Sequence, residues 1–265
     1  VLIEPGVPDD TCEYCRTGRY NICPGVDFMA TQPNYKGALT QYMTHPEEWT
    51  YHIPEGMTTM EGALVEPAAV GMHAAVLGGA QPGKSIVILG GGTIGLMVLQ
   101  ACISLGATDI TVVDVIEKRL ELAKKLGAAR VINGKEEDTV AVLRSEEMYG
   151  DHGVDLVFEA AGAVFTAQQA VQIVSRGGKI MMVGTQSKPV PIDFLKINRE
   201  VTIQTSFRYC NNFPQTIEAI SSGRFNVKDM VTNIYDYEDV QKAFEEAIDP
   251  VKKTEMVKGV IKVAE

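Results

Sequence analysis

From Pro82-Gly83 onward, short apolar runs alternate with longer stretches in which apolar residues recur every three or four positions. The runs predict strands over 85–90, 109–114, 129–133, 154–159, 179–184 and 201–207. The periodic stretches predict helices over about 94–105, 116–126, 139–149 and 166–175. The second helix closes on Lys124-Lys125-Leu126-Gly127, a cationic last turn followed by a glycine stop. Near-continuously apolar strands alternating with helices are the pattern of a parallel sheet covered on both faces, so an α/β fold is expected.

The flanks have a different texture. Residues 1–68 are rich in turns (Pro5-Gly6, Pro24-Gly25, Pro54-Glu55-Gly56) and hold short apolar segments such as Leu39-Thr-Gln-Tyr-Met43, which predicts short strands and loops. Residues 208–265 predict helices near 214–221 and 237–248 and a closing strand over 259–263. No internal repeat or low-complexity tract interrupts the chain. Val1-Leu2-Ile3-Glu4-Pro5-Gly6 reads as a strand already under way, so a truncated start is expected.

Composition narrows the class without changing the fold. At 265 residues the chain holds one to two domains at about 150 residues each. A net charge of −10, from 24 Lys+Arg against 34 Asp+Glu, opposes binding to nucleic acid or an anionic membrane. No run approaches the about 18 apolar residues of a membrane span. No basic segment followed by an apolar one opens the chain, so the expected compartment is the cytoplasm.

Two patterns carry chemistry. The run 85–89 leads into Gly90-Gly91-Gly92-Thr93-Ile94-Gly95 and then a helical stretch. Gly90 suits the tight turn, Gly92 lets a pyrophosphate approach the backbone, and Gly95 lets the helix pack on its strand. The helix N-terminus adds free N–H groups and the positive end of its dipole. The next strand ends in Asp114, 19 positions beyond Gly95, where a carboxylate suits a ribose diol and repels the 2′-phosphate of NADP. NAD is therefore the expected cofactor; the bland alternatives are a ligand-free glycine turn and a strand-end acid.

The second pattern is Asp9-x2-Cys12-x2-Cys15-x7-Cys23, three of the five cysteines on one loop. It reads as a structural zinc site, with Asp9 as ligand or as a plain loop acid, or else as three free thiols. Cys102, in an apolar helix, reads as core filler. His45, His52, His73 and His152 stand in no metal-ligand spacing.

Several segments together resemble the zinc-dependent medium-chain dehydrogenases, and within them the sorbitol and related polyol dehydrogenases. They are Ile3-Glu-Pro-Gly-Val7, Gly18-Arg-Tyr-Asn21, Glu61-Gly-Ala-Leu-Val-Glu-Pro67 with Val70-Gly-Met-His73, the Gly90–Gly95 turn, and Phe207-Arg-Tyr-Cys-Asn211. The likeness runs along essentially the whole chain. It implies a Rossmann domain at 69–207 set between two pieces of a GroES-like catalytic domain, 1–68 and 208–265, with the upstream piece that carries a catalytic Cys and a His-Glu pair missing.

The resemblance also implies roles. Gly90, Gly92, Ile94 and Gly95 fall at the cofactor phosphates, Asp114 and Arg119 at the adenosine ribose, and Val183, Gly184 and Phe207 near the nicotinamide. Glu66 falls beside the catalytic zinc, and Arg208 and Tyr209 on the polyol. Asp9, Cys12, Cys15 and Cys23 match the structural zinc lobe. Without the family, Glu66 would read as a loop acid, Arg208 as a surface charge and Tyr209 as a core-edge residue. The expected activity is NAD-dependent, zinc-assisted oxidation of a polyol such as sorbitol or xylitol to a ketose, by a homo-oligomer, dimer or tetramer. The chain as it stands is expected to bind NAD without turning over polyol. The alternatives are a threonine or butanediol type of zinc dehydrogenase, and a non-catalytic NAD-binding module.

Overall fold

Ile86 to Leu89 are fully buried, as a strand without a polar face must be. The computed structural model describes residues 1–32 and 36–263 and places Ser85–Leu89 inside a six-stranded sheet. The strand order is Thr202–Thr205, Val174–Met182, Val154–Glu159, Ser85–Leu89, Asp109–Asp114, Arg130–Asn133, and every neighbouring pair is parallel. The chain winds outward from Ser85–Leu89 in one direction and then returns to build the other half. The winding reverses between Ser85–Leu89 and Val154–Glu159, and a crevice opens there at the carboxyl ends of the strands.

Alternate residues of each strand feed two separate cores. Ile86 and Ile88 join Ile110, Val112, Leu156 and Phe158 under the helices Val65–Gly78, Thr93–Ser104 and Phe213–Ser221. Val87 and Leu89 join Val113, Ile132 and Val157 under the helix Val164–Ile173. Each such buried aliphatic is worth roughly 1.5–3 kcal/mol, so both helical layers are needed to hold the sheet.

Around the sheet lie three two-stranded ribbons. Leu2–Ile3 pairs antiparallel with Thr50–Tyr51, Gly6–Val7 antiparallel with Asp27–Phe28, and Val231–Asp236 parallel with Lys258–Lys262. Leu2, Met57 and Leu64 share one core with Met72, Leu96, Tyr209 and Phe213, so all three stretches of the sequence meet in it. None of the helices of described residues is long and apolar enough to cross a membrane.

Several elements differ from the sequence reading, among them the strand Val231–Asp236 and the helix Thr59–Ala63, which it did not expect. The helix Val65–Gly78 starts inside the stretch read as short strands and loops and runs on through positions given no element; it is apolar on nearly every side, so it shows no amphipathic period, and Gly79 ends it at φ +79°. The helix expected over 139–149 stops at Leu143. Arg144 bonds the carbonyls of Gly150, Asp151, Gln172 and Val174 and folds the rest back as turns. The strand expected over 179–184 runs instead as Val174–Met182, irregular between its pairings at Val154 and Leu156, so the preceding helix ends at Ile173. Leu39–Met43 forms no strand, and Leu39, Tyr42 and Met43 are exposed.

Candidate functional site

The glycine turn lies in the crevice. Gly90 has φ +109°, a conformation open to glycine, and a Cβ there would stand 2.8 Å from the Ala161 backbone nitrogen. Gly95 sits in the first turn of the helix Thr93–Ser104, where a Cβ would overlap the Gly90 carbonyl. Gly92 caps that helix, and a Cβ there would have nothing nearer than Arg119 Nη1, at 4.0 Å. The turn therefore leaves an open approach to free backbone N–H groups at a helix N-terminus. Ile94 lies half-buried in the same first turn.

Asp114 ends its strand buried, and its carboxylate organises the turn. Oδ2 accepts from Gly91 N at 2.7 Å, and Oδ1 accepts from Val115 N and Ile116 N at 2.7 and 2.9 Å. Arg119 Nη1 lies 3.8 Å from Oδ2, while its Nε is buried with no partner among the described residues. A cavity of about 460 Å³ opens here, lined by Gly90, Gly92, Asp114, Arg119, Ala160 and Thr166 among others. An open glycine cradle, an orphaned guanidinium nitrogen and a strand-end carboxylate together fit a dinucleotide.

The sequence reading missed the closure of this crevice from the C-terminal stretch. Thr93 donates its hydroxyl to the Val257 carbonyl, and Arg119 Nη2 donates to the Lys253 carbonyl at 3.2 Å. A second cavity of about 420 Å³ adjoins, lined by Thr93, Arg119, Tyr235, Phe244 and Lys258 among others. It also missed Glu159, the fully buried last residue of its strand. The Glu159 main-chain carbonyl accepts from Val183 N and Gly184 N, both at 2.8 Å. An acidic residue ending an apolar strand was the available signal, the same one that marked Asp114.

The second group gathers around Glu66, on the first turn of the helix Val65–Gly78. Burial pushes the Glu66 carboxyl up, against the opposing pull of Tyr209, Lys258 and Arg208. Tyr209 is buried, its hydroxyl near Glu66 without a regular hydrogen bond; burial first, and then Glu66, drives its ionisation up. Arg208 stacks over Phe28 at 3.9 Å and over Phe207 at 4.8 Å, and burial lowers its hold on the proton. Its φ is +51° and its Nη1 is buried without a partner among the described residues. A strained, unsatisfied cation beside a buried carboxyl is the arrangement of a polar ligand site.

Two segments singled out in the sequence hold this site by interlocking. Asn21 Nδ2 donates to the Phe207 carbonyl at 2.8 Å, and Asn211 Nδ2 donates to the Gly18 carbonyl at 2.6 Å. Tyr20 Oη accepts from Asn211 N at 2.8 Å and donates to Glu4 at 2.6 Å. Glu4 is buried and also accepts from Tyr51 Oη at 2.9 Å.

The ligand atoms of Asp9, Cys12, Cys15 and Cys23 lie within 4.8 Å of one another. Cys12 Sγ and Cys15 Sγ are 3.4 Å apart. A tetrahedron with zinc–sulfur bonds of about 2.3 Å has edges of about 3.8 Å, so the set fits a four-coordinate ion. Backbone N–H groups of Thr11 and Cys12 hold Asp9 down to about 2, while burial and the neighbouring thiols push Cys15 up to about 12. A cation would relieve that crowding of thiols.

Residues 93–222 match the zinc-binding dehydrogenase family model, and residues 1–55 match the alcohol dehydrogenase GroES-like domain. The chain is 64% identical over 265 residues to the uncharacterised zinc-type alcohol dehydrogenase-like protein YdjJ of Escherichia coli (strain K12), covering 100% of this chain and 75% of that protein. It is 41% identical over 251 residues to sorbitol dehydrogenase of Bacillus subtilis (strain 168), covering 94% and 70%. The crystal structure of an Escherichia coli oxidoreductase/dehydrogenase of unknown specificity superposes with a TM-score of 0.96 at 63% identity, covering 99% of this chain and 75% of that one. With a Rossmann sheet, a GroES-like part and these relatives, the chain belongs to the zinc-dependent medium-chain dehydrogenases, in the group of the sorbitol and other polyol dehydrogenases.

Proposed function

We propose that this protein oxidises a polyol, sorbitol or xylitol or a close analogue, to a ketose with NAD as the electron acceptor. Residues 69–207 hold the cofactor, and 1–68 with 208–265 form the substrate side. When bound, the nicotinamide ring supplies the acceptor for the hydride that leaves the carbinol carbon. Gly90, Gly92, Ile94 and Gly95 receive the pyrophosphate, and Asp114 and Arg119 the adenosine ribose. The choice of NAD over NADP rests on Asp114, whose carboxylate would stand against a 2′-phosphate. Val183, Gly184 and Phe207 border the nicotinamide.

Arg208 and Tyr209 offer donors to the polyol hydroxyls, and Glu66, raised toward its neutral form by burial, exchanges the hydroxyl proton. Among the described residues Glu66 belongs to no cluster of three or more metal-ligating side chains; Tyr209, Lys258 and Arg208 are the groups that act on its carboxyl. The Asp9, Cys12, Cys15 and Cys23 set holds a structural zinc.

The observation that supports the reading is the pairing of an open glycine cradle with a half-buried Arg208 whose Nη1 has no hydrogen-bond partner among the described residues, near Glu66. Steady-state rates with sorbitol, xylitol, threonine and butanediol, together with NAD and NADP titrations, test it. In protein that includes the upstream zinc-binding piece implied by the resemblance, polyol turnover with NAD is expected, and a preference for threonine or butanediol would overturn the substrate assignment. In that longer protein Glu66→Ala should lower turnover far more than NAD affinity; near-normal turnover would remove Glu66 from the chemistry.

A further inference from the structure

Glu159 is fully buried at the end of the strand Val154–Glu159, where the winding of the sheet reverses. Its Oε1 accepts from Ala161 N at 3.0 Å and Gly162 N at 2.9 Å, and the Thr166 hydroxyl lies 2.7 Å away. Its Oε2 accepts from Gln186 Nε2 at 2.6 Å. Three N–H donors thus converge on a carboxylate that forms no ion pair among the described residues. Buried charge is costly and is ordinarily paired with an opposite charge, so a carboxylate met only by hydrogen-bond donors behind a ligand crevice needs an account.

The position supplies one. A Cβ on Gly184 would overlap Gly162 N and stand 3.0 Å from Glu159 Oε2, so the carboxylate lies close behind the backbone of Val183–Gly184, with only the Gly162 main chain packed beside it. An oxidised nicotinamide ring carries a positive charge and a reduced ring carries none. An anion fixed beneath that ring therefore favours the oxidised form, and in a protein interior a unit charge a few ångströms away is strong enough to change affinity about tenfold.

We propose that Glu159 sets the preference of this protein for oxidised over reduced nicotinamide cofactor, by holding an uncompensated negative charge beside the ring. The inference rests on the placement of the ring at Val183–Gly184 proposed above. Glu159 also ties the 160–166 segment to the 183–186 segment, so it is a positioning residue as well, and the test must separate the two roles.

The test is the dissociation constant of NAD+, NADH and ADP-ribose for the wild type, Glu159→Gln and Glu159→Asp, by calorimetry and NADH fluorescence. Glu159→Gln should weaken NAD+ about tenfold more than NADH and leave ADP-ribose, which has no nicotinamide, nearly unchanged. Glu159→Asp keeps the charge and should keep the wild-type NAD+/NADH ratio, whatever its overall affinity. If Glu159→Gln does not fold, Gln186→Lys sets an ammonium against Oε2 and should shift the ratio the same way. Equal losses for NAD+ and NADH, or an unchanged ratio, overturn the charge role. Equal losses for NAD+ and ADP-ribose move the effect away from the ring and overturn it too. Wild-type protein that binds neither form overturns the cofactor reading and this inference together.

Discussion

Alanine at Gly92 and alanine at Gly95 should have opposite signatures, because one position faces open space and the other faces backbone. At Gly95 the added carbon would overlap the Gly90 carbonyl oxygen and stand 2.9 Å from its carbonyl carbon and 3.5 Å from Ile88 Cγ2. Ordinary carbon contacts fall at about 3.5–4.0 Å, so the helix Thr93–Ser104 must retreat by roughly 1 Å. An overlap this severe belongs at the upper part of the usual overpacking cost, about 2–3 kcal/mol, and the better helix propensity of alanine returns about 1 kcal/mol. The net loss of about 1–2 kcal/mol, at about 2–4 °C per kcal/mol for a chain of this size, lowers Tm by roughly 2–8 °C.

At Gly92 the backbone, with φ −71° and ψ −175°, suits any residue, and the added carbon meets only Arg119 Nη1 at 4.0 Å. Losing glycine as a helix cap costs no more than about 1 kcal/mol, so Tm should move little. The methyl group would nevertheless stand where the pyrophosphate approaches, and NAD affinity should fall about tenfold, or about 1.4 kcal/mol. Thermal melts followed by circular dichroism and NAD calorimetry read the two effects separately. An unchanged Tm for Gly95→Ala would refute the close packing. Unchanged NAD affinity for Gly92→Ala would place the pyrophosphate elsewhere.

Asp114→Asn leaves Gly91, Val115 and Ile116 N–H groups competing for one oxygen and removes the charge that opposes a 2′-phosphate. NAD affinity should fall about tenfold while the bias against NADP shrinks; unchanged titrations with both cofactors would sink the ribose assignment. Cys12→Ser should lower the bound zinc of protein purified without chelator, read by metal analysis, and a zinc-free wild type would count against the site. Glu4 is raised above its ordinary value by burial, which outweighs the hydrogen bonds from Tyr20 and Tyr51. A raised carboxyl contributes stability that is full below its unfolded value, near 4.5, and is lost as pH rises through the folded value. Denaturation of wild type and Glu4→Gln from pH 4 to 8 should therefore show the wild type losing ground to the variant as pH rises, and parallel curves would refute the shift.

What was legible in the sequence was local. The strand, glycine turn, helix and acid from Ser85 to Asp114 lie within one supersecondary unit, and Asp9 to Cys23 lie on one loop, so spacing alone located both. The helix Val65–Gly78 escaped because it is buried on nearly every side and shows no polar face to set a period. Helix 139–149 was overextended because propensity does not see Arg144, whose guanidinium bonds carbonyls as far away as Val174. That the Tyr209 ring is buried against Phe213 was not legible either, because depth of burial is invisible along a strand-and-turn pattern. Glu159 was passed over although it ends its strand as Asp114 does; its place at the reversal in strand order, a tertiary fact, is what the sequence could not add to that signal.

The pairing between Gly18–Asn21 and Phe207–Asn211 was equally out of reach, since its hydrogen bonds span 186 to 193 residues. On the proposed function, that pairing lies between the cofactor and polyol sites. Phe207 follows directly on the edge strand Thr202–Thr205, whose neighbour Val174–Met182 leads to Val183 and Gly184. Its carbonyl is held from the other side by Asn21, and the next residue, Arg208, is fixed at φ +51° between two aromatic rings. A shift of the sheet edge on cofactor binding cannot be absorbed by a flexible joint there, because both ends of the turn are hydrogen-bonded. It must be passed to the Arg208 guanidinium, so cofactor and polyol affinities should be coupled, each ligand changing the other's by the same factor.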